Sequence, residues 1–119
     1  MKVLVIEPEK RPRVKEIQSG LRSLQLQVGG MIEAVYPFED EVAIICNEEG
    51  KLIGLPLNRA LRNEDGEVYD IIFGTFLVVG LTEENFGSLS EEQIERYRKR
   101  FYHPELFMNI GGKLRVIPI

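Results

Sequence analysis

The sequence predicts an α+β fold, with a mixed or antiparallel sheet built from hairpins and two main helices. Short apolar runs rich in β-branched residues, such as KVLVI and VAIIC, are separated by turn signals, which is typical of hairpin-connected strands. Two other segments have apolar residues three and four apart, the spacing of an amphipathic helix. Many strands with few helices between them favour α+β over a parallel α/β sheet.

The composition is that of a globular protein. A chain of 119 residues, 44% hydrophobic and 29% charged, fits a single domain over residues 1–119. The net charge of −4 argues against general nucleic-acid binding, which needs a basic surface. Cys46 is the only cysteine and cannot form an internal disulfide, and no apolar run is long enough to span a membrane. We therefore expect a cytoplasmic protein without membrane association.

In the N-terminal part, KVLVI predicts a buried strand that Pro8 ends. A first helix is predicted to begin at Pro12 and to end at Gly29-Gly30, where glycine can take the left-handed conformation. LQLQV also alternates like a strand, so the end of this helix stays open between two interpretations. The apolar residues at helical spacing are Val14, Ile17, Leu21 and Leu24.

The stretch CNEEGKLIGLPLNRALR is dense in turn and charge signals. NEEG between VAIIC and KLIGL predicts a hairpin in which Gly50 is left-handed. Pro56 is expected to stop the second strand, because proline cannot donate a ladder hydrogen bond. The following LNRALRN is predicted to be a short helical turn with Asn58 as its N-cap.

The C-terminal part predicts a strand, a helix and a strand-like tail over residues 105–119. YDIIFGTFLVVGL is predicted to be one strand interrupted by Gly74, and we expect positive φ at one or more of Gly29, Gly30 and Gly74. Ser90 and Gln93 form a capping box at the start of the second helix. Its predicted buried face consists of Ile94, Tyr97 and Phe101.

Neither a metal site nor a nucleophilic site is indicated. One histidine and one cysteine, far apart in sequence, do not make a zinc site, and NEDGE lacks the ligand register of an EF-hand. Cys46 lies inside a predicted strand, where a free cysteine is usually a buried apolar residue. We predict a non-enzymatic protein with no catalytic residue, no metal and no cofactor.

Two basic clusters are candidates for binding an anion. Asn58, Arg59 and Arg62 follow Pro56 closely, and guanidinium groups hold phosphate bidentately. The alternative is salt bridging of the two arginines to the acidic turn that contains Glu64, Asp65 and Glu67. The second cluster, a possible anion contact at the end of the second helix, alternatively offsets the helix dipole. It consists of Arg96, Lys99 and Arg100.

Three blocks, VGGMIEAV, CNEEGKLIGLPLNRALR and GTFLVVGL, resemble in their order and spacing domain-of-unknown-function family number 3846. The resemblance covers about residues 1–104. It implies carriage by phages, plasmids and conjugative elements, often beside antirestriction-type genes, and it carries over no catalytic residue. Asn47 and Gly30, which lie in the matching blocks, complete the predicted ligand-binding set. The matching residues are Val28 to Gly30, Ile32, Glu33, Asn47 to Leu52, Gly54 to Pro56, Asn58, Arg59, Gly74 and Thr75.

Together these features predict an accessory protein of a phage or mobile element that counters host defence by sequestering a nucleotide-derived signal. The alternative is an adaptor or inhibitor that binds a host defence protein and no small ligand. A hydrolase that uses Asp or Glu residues is a third hypothesis. We also expect a homo-oligomer, because strand addition by the apolar tail LRVIPI would cover it.

Overall fold

The computed structural model describes all residues from Met1 to Ile119. It confirms an α+β fold with two helices and antiparallel sheets connected largely by hairpins. Neither helix is long and apolar enough to cross a membrane. The elements are β1 (Lys2–Ile6), β2 (Arg13–Glu16), α1 (Leu21–Val28), β3 (Ile32–Val35), β4 (Val42–Asn47), β5 (Leu57–Arg62), β6 (Val68–Phe73), β7 (Phe76–Leu81), β8 (Phe86–Gly87), α2 (Glu91–Arg100), β9 (Glu105–Ile110) and β10 (Lys113–Pro118).

The main sheet is antiparallel and has the order β2-β1-β7-β4-β3, with β8 paired to the end of β7. Its central strands β1, β7 and β4 are covered on both faces, which is why they are apolar along nearly their whole length. Alternate residues of β1 show the two sides: Val3 and Val5 belong to one core cluster, and Leu4 and Ile6 to the other.

Helix α1 covers one face of the main sheet through Leu24 and Val28. Helix α2 and a second, two-stranded sheet of β5 and β6 cover the other face. The predicted buried face of α2, Ile94, Tyr97 and Phe101, is confirmed, and so is the capping box at its start. The core on this face therefore joins the main sheet, α2 and the small sheet, and the small sheet contributes Leu61 and Ile72.

The predicted first helix is wrong over its first half. Residues 13–16 form β2, the partner of β1, in a register that pairs Leu4 with Val14. The free edge of β1 takes this segment as its neighbour, and sheet pairing overrides the helical spacing of the apolar residues. Gly20 has a φ of 106°, which is outside the helical region, so the helix begins only after it. The predicted end is correct, since Gly29 is the left-handed C-cap.

The predicted hairpin between VAIIC and KLIGL is also wrong. Strand β4 ends at Asn47, residues 48–54 form successive turns, and the left-handed glycine is Gly54, not Gly50. LNRALR is strand β5, so Asn58 is not a helix N-cap. Local propensity favours a helical turn, but the segment pairs with β6 across both register irregularities of that ladder.

Gly74 divides the predicted long strand into β6 and β7, which belong to different sheets. Its φ of 80° permits the turn between them, and a Cβ at this position would lie 2.7 Å from Leu55 Cδ1. Positive φ is therefore confirmed at Gly29 and Gly74, while Gly30 does not have it.

The C-terminal tail forms a hairpin of β9 and β10, which we call the C-terminal hairpin (residues 105–119). One face packs near β5, and the other is exposed to solvent. A hydrogen bond from the Ile119 N–H to the Pro104 carbonyl closes its base. The exposed apolar residues of the hairpin and its end are Leu106, Met108, Ile110, Leu114, Ile117 and Ile119.

Candidate functional site

Arg59 lies in the interior of the molecule, with 1% of its surface exposed. Its Nε and Nη2 donate to the Phe101 carbonyl at 3.2 and 3.0 Å, and Nη2 also donates to the Lys10 carbonyl at 2.7 Å. Nη1 donates to the Asn58 Oδ1 at 2.8 Å and to the Asn58 carbonyl at 3.4 Å. All five N–H groups of the guanidinium are thus used inside the protein.

Strand β5 brings Asn58 into the same buried network. Its amide donates to the carbonyls of Ile6 and Gly74 at 2.9 and 2.8 Å. Burial lowers the pKa of Arg59, and the Glu105 carboxylate opposes this shift. The predicted exposed, ligand-facing placement of Asn58 and Arg59 is therefore wrong. The two side chains connect the small sheet to β1 and to the end of α2.

Arg62, at the end of β5, does reach a surface cleft. Its Nη2 lies 2.9 Å from Glu105 Oε2, and the predicted alternative partners Glu64, Asp65 and Glu67 do not pair with it. Glu105 Oε1 accepts a hydrogen bond of 2.7 Å from the backbone N–H of Ala60. The Glu105 side chain is 8% exposed, compared with 35% for Arg62. The carboxylate is thus enclosed between an arginine and a strand-edge N–H.

The three cations predicted on α2 have different surroundings. Arg96 Nη1 contacts Asp40 Oδ2 at 2.6 Å, and Arg96 Nη2 lies 3.5 Å from Glu92. Asp40 also accepts a 2.7 Å hydrogen bond from the Tyr97 hydroxyl. That bond is the main reason why the pKa of Asp40 is lowered. Arg96 is therefore paired with two carboxylates, and its contact with Asp40 connects α2 to the loop before β4.

Lys99 and Arg100 have no carboxylate within ion-pair distance. The Arg100 guanidinium carbon lies 4.5 Å from the centre of the Phe38 ring, a cation–π geometry. This contact orients the guanidinium and leaves its N–H groups without a hydrogen-bond partner in the protein. Of the three cations predicted as an anion contact, Lys99 and Arg100 consequently retain full capacity for an anion, and Arg96 does not.

Two cavities share Arg62 and Arg100 as lining residues. The smaller has a volume of about 310 Å³ and is also lined by His103 and Glu105. The larger, about 1140 Å³ and more open, is also lined by Lys99 and by three aromatic side chains. We call the two together the basic cleft. The aromatic residues of the larger cavity are Phe38, Tyr69 and Tyr97.

The structure thus unites Arg62 with the α2 cations and separates them from the other predicted ligand-binding residues. Asn47 donates to the Val28 carbonyl at 3.2 Å and accepts from the Glu49 N–H at 2.8 Å, so it holds a turn. A Cβ at Gly30 would lie 2.9 Å from Asn47 Nδ2. Close packing on this amide explains the glycine, and neither residue lines the basic cleft.

Glu105 and Ala60 are the functional candidates that the sequence interpretation misses. A backbone N–H leaves no trace in residue type, and Glu105 lies 43 residues after Arg62 in the chain. The acidic residue directly after Pro104 in an otherwise apolar and basic tail is the one signal that the sequence carries. No group of three or more His, Cys, Asp or Glu side chains is arranged to hold a metal ion.

The fold and the cleft define a small α+β protein with cations gathered between a helix end and a two-stranded sheet. The model of the family described as "Domain of unknown function (DUF3846)" matches residues 1–102, so the chain belongs to this family. No curated protein matches the chain. No solved structure matches it either. The matched region contains all the arginines and lysines of the cleft, whereas Glu105 lies outside it.

Proposed function

We propose that this protein binds a phosphate-bearing small molecule in the basic cleft and holds it without turnover. One observation carries the proposal: Lys99 and Arg100, which lack acidic partners, face the same cleft as Arg62. Guanidinium groups suit phosphate because their planar N–H pairs can grip two oxygens at once. The cations lie on a helix and a strand, so their positions are prearranged for a ligand.

A nucleotide-derived ligand fits the larger cavity better than a free phosphate does. Its volume of about 1140 Å³ far exceeds what one phosphate group needs. Tyr69, 56% exposed, lines the same cavity and offers a ring face to a base. Stacking of a base on an aromatic side chain contributes about 1–3 kcal/mol. Phosphate at the arginines and a base at Tyr69 would use the basic and aromatic lining of this cavity, which also includes Glu39, Asp40 and Glu64.

Binding without turnover is supported by the state of the two classical nucleophilic-site residues. Burial raises the pKa of Cys46 to about 11, so its thiol stays protonated at neutral pH. Cys46 contacts the Glu33 carbonyl, whereas His103 contacts the Ile119 carbonyl, so the two do not form a pair.

The resemblance to proteins of phages and mobile elements supports the biological part of the proposal. The ligand would be a host defence signal carried by a nucleotide derivative, which the protein would sequester; we call such a protein a sponge.

The proposed function is tested by heating the purified protein and identifying the material that it releases. We expect an ultraviolet-absorbing nucleotide derivative in the supernatant, intact by mass spectrometry, because a sponge does not consume its ligand. With ADP as a soluble probe, Arg100→Ala should weaken binding about tenfold, the loss of one charge-assisted contact. Titration calorimetry measures this change.

The chain offers a matched control for that experiment. Arg98 lies two residues away on α2, is exposed, has no ion pair and does not line the cleft. Arg98→Ala removes the same charge and should leave the affinity for ADP within about twofold of the native value, because an exposed charge outside the cleft is screened by salt. Equal affinities for the two variants would contradict the proposed site.

The second candidate function is an adaptor or inhibitor that binds a host defence protein and no small ligand. The observation that favours it is the exposed apolar face of the C-terminal hairpin. Absence of any released ligand, together with no heat of binding for ADP or inorganic pyrophosphate, would favour this candidate over the sponge.

A further inference from the structure

We propose that the Ala60 N–H and the Arg62 guanidinium form a phosphate subsite that the chain's own Glu105 carboxylate fills. This inference rests on the proposed function of the basic cleft and adds an internal competitor to it. The ligand must displace Glu105 in order to use Arg62 Nη2 and the Ala60 N–H, so the affinity of the protein for phosphate depends on one carboxylate in the C-terminal hairpin.

The geometry around Glu105 is that of an anion in a binding site. Each carboxylate oxygen accepts one bond, Oε1 from the Ala60 N–H at 2.7 Å and Oε2 from Arg62 Nη2 at 2.9 Å. A backbone N–H beside a guanidinium is a donor set that also binds two oxygens of a phosphate group. The side chain is 8% exposed, so the carboxylate sits inside the subsite and not at its rim.

The surroundings of the subsite favour a more highly charged anion than a carboxylate. The smaller cavity next to it is lined by Arg62 and Arg100, and Glu105 is its only acidic lining residue. Arg59 also lines this cavity, but its N–H groups are committed. A phosphate group carries more negative charge than Glu105 and can contact Arg100 as well, which the carboxylate does not do.

The competitor comes from a separate part of the chain. Residues 1–102 match the family model, and Glu105 is the first residue of the C-terminal hairpin beyond that match. The cations of the cleft and the carboxylate that occupies the subsite therefore belong to different segments. A variant at Glu105 can release the subsite without altering the matched region.

The test compares inorganic pyrophosphate binding by native protein and by Glu105→Gln, measured by titration calorimetry. Glutamine keeps an oxygen that can accept from the Ala60 N–H but loses the negative charge, so we expect pyrophosphate to bind at least about tenfold more tightly. The control is Glu67→Gln, because Glu67 is exposed, has no ion pair and gives the same change in net charge. It should leave the affinity within about twofold of the native value.

The outcomes separate this inference from the proposed function. If native protein binds pyrophosphate and Glu105→Gln binds it equally or more weakly, the competitor is rejected and the cleft stands. An equal gain in both variants also rejects it, because general charge then explains the effect. If neither native protein nor Glu105→Gln binds pyrophosphate or ADP, the proposed function fails and this inference fails with it.

A second measurement uses the native chain and does not depend on how the variant folds. In a titration with pyrophosphate followed by amide NMR, the Ala60 amide should shift strongly, because its acceptor changes from carboxylate to phosphate. Shifts at Lys99 and Arg100 without a shift at Ala60 would place the anion elsewhere in the cleft and overturn the inference.

Discussion

Arg59 is the residue whose role changes most between sequence and structure. An arginine that follows proline and asparagine in a polar segment is normally exposed, which is why the sequence predicts that it faces a ligand. Instead it is buried with neutral carbonyl and amide oxygens as its direct partners and a carboxylate, Glu105, only nearby. The acceptors come from residues 10, 58 and 101, and no local pattern in the sequence relates these positions.

Substitution of Arg59 should therefore affect stability. We expect Arg59→Ala to lower the free energy of unfolding by about 3 kcal/mol or more, since it leaves several buried carbonyls unsatisfied and opens a cavity. Arg59→Lys should recover only part of the loss, because an ammonium has three donors and cannot reproduce the planar fork. Urea unfolding measures both changes.

The reference for this series is Arg98→Ala, which removes an exposed arginine without a partner and should change the stability by less than about 0.5 kcal/mol. An Arg59→Ala variant as stable as Arg98→Ala would show that the buried network contributes nothing. Loss of pyrophosphate binding at unchanged stability would restore Arg59 as a ligand residue.

At the scale of elements, prediction succeeds where the signal is local and fails where it depends on a distant partner. Helix α2 carries its own start signal in Ser90 and Gln93, and its apolar residues recur at helical spacing, so its position and buried face could be predicted. Strand β5 has no such signal. Its apolar and polar residues do not alternate, because the consecutive residues Asn58, Arg59 and Ala60 are all buried.

The passage from β6 to β7 depends on Gly74 for two separable reasons, its left-handed backbone and its contact with Leu55. Gly74→Ala should lower stability by about 2–3 kcal/mol, combining left-handed strain of about 1 kcal/mol with the cost of moving a packed leucine. Gly66 has a φ of 81°, and a Cβ added there would meet no other atom within 4 Å. Gly66→Ala therefore measures the strain alone, about 1 kcal/mol.

Thermal or urea unfolding of the two glycine variants gives the difference directly. If Gly74→Ala and Gly66→Ala lose the same stability, the Leu55 contact relaxes freely and the passage between the sheets tolerates a side chain.

At the scale of the whole molecule, the expectation of a homo-oligomer now has a defined surface. The outer face of the C-terminal hairpin exposes Leu106 and its cross-strand neighbour Ile117. We expect light scattering at micromolar concentration to give about twice the monomer mass, and Ile117→Lys to give the monomer mass, since a charge cannot be buried there without a partner.

Leu52 serves as the comparison, because it is 86% exposed on the turn after β4, far along the chain from the hairpin. Leu52→Lys should leave the assembly intact. A native protein that scatters as a monomer would reject the homo-oligomer outright.

The sequence is sufficient for the fold class and for α2, because both depend on composition or local spacing. It is insufficient for the basic cleft. That cleft exists because β5 is a strand, which directs Arg59 inward and brings Arg62 beside Glu105, and strand pairing between β5 and β6 is decided by tertiary packing. Arg62 and Arg100 are far apart in the chain, so local spacing assigns them to separate clusters, and only the tertiary packing brings them to one cleft.

The buried guanidinium of Arg59 also has a consequence for how the molecule opens. Nη2 holds the Lys10 and Phe101 carbonyls at once, so one nitrogen joins backbone atoms 91 residues apart in the chain. It acts as a reversible cross-link between the loop after β1 and the last turn of α2. Movement of the Arg59 side chain out of the core would release both segments together, so we expect both to open with β5 in one cooperative unit of local unfolding.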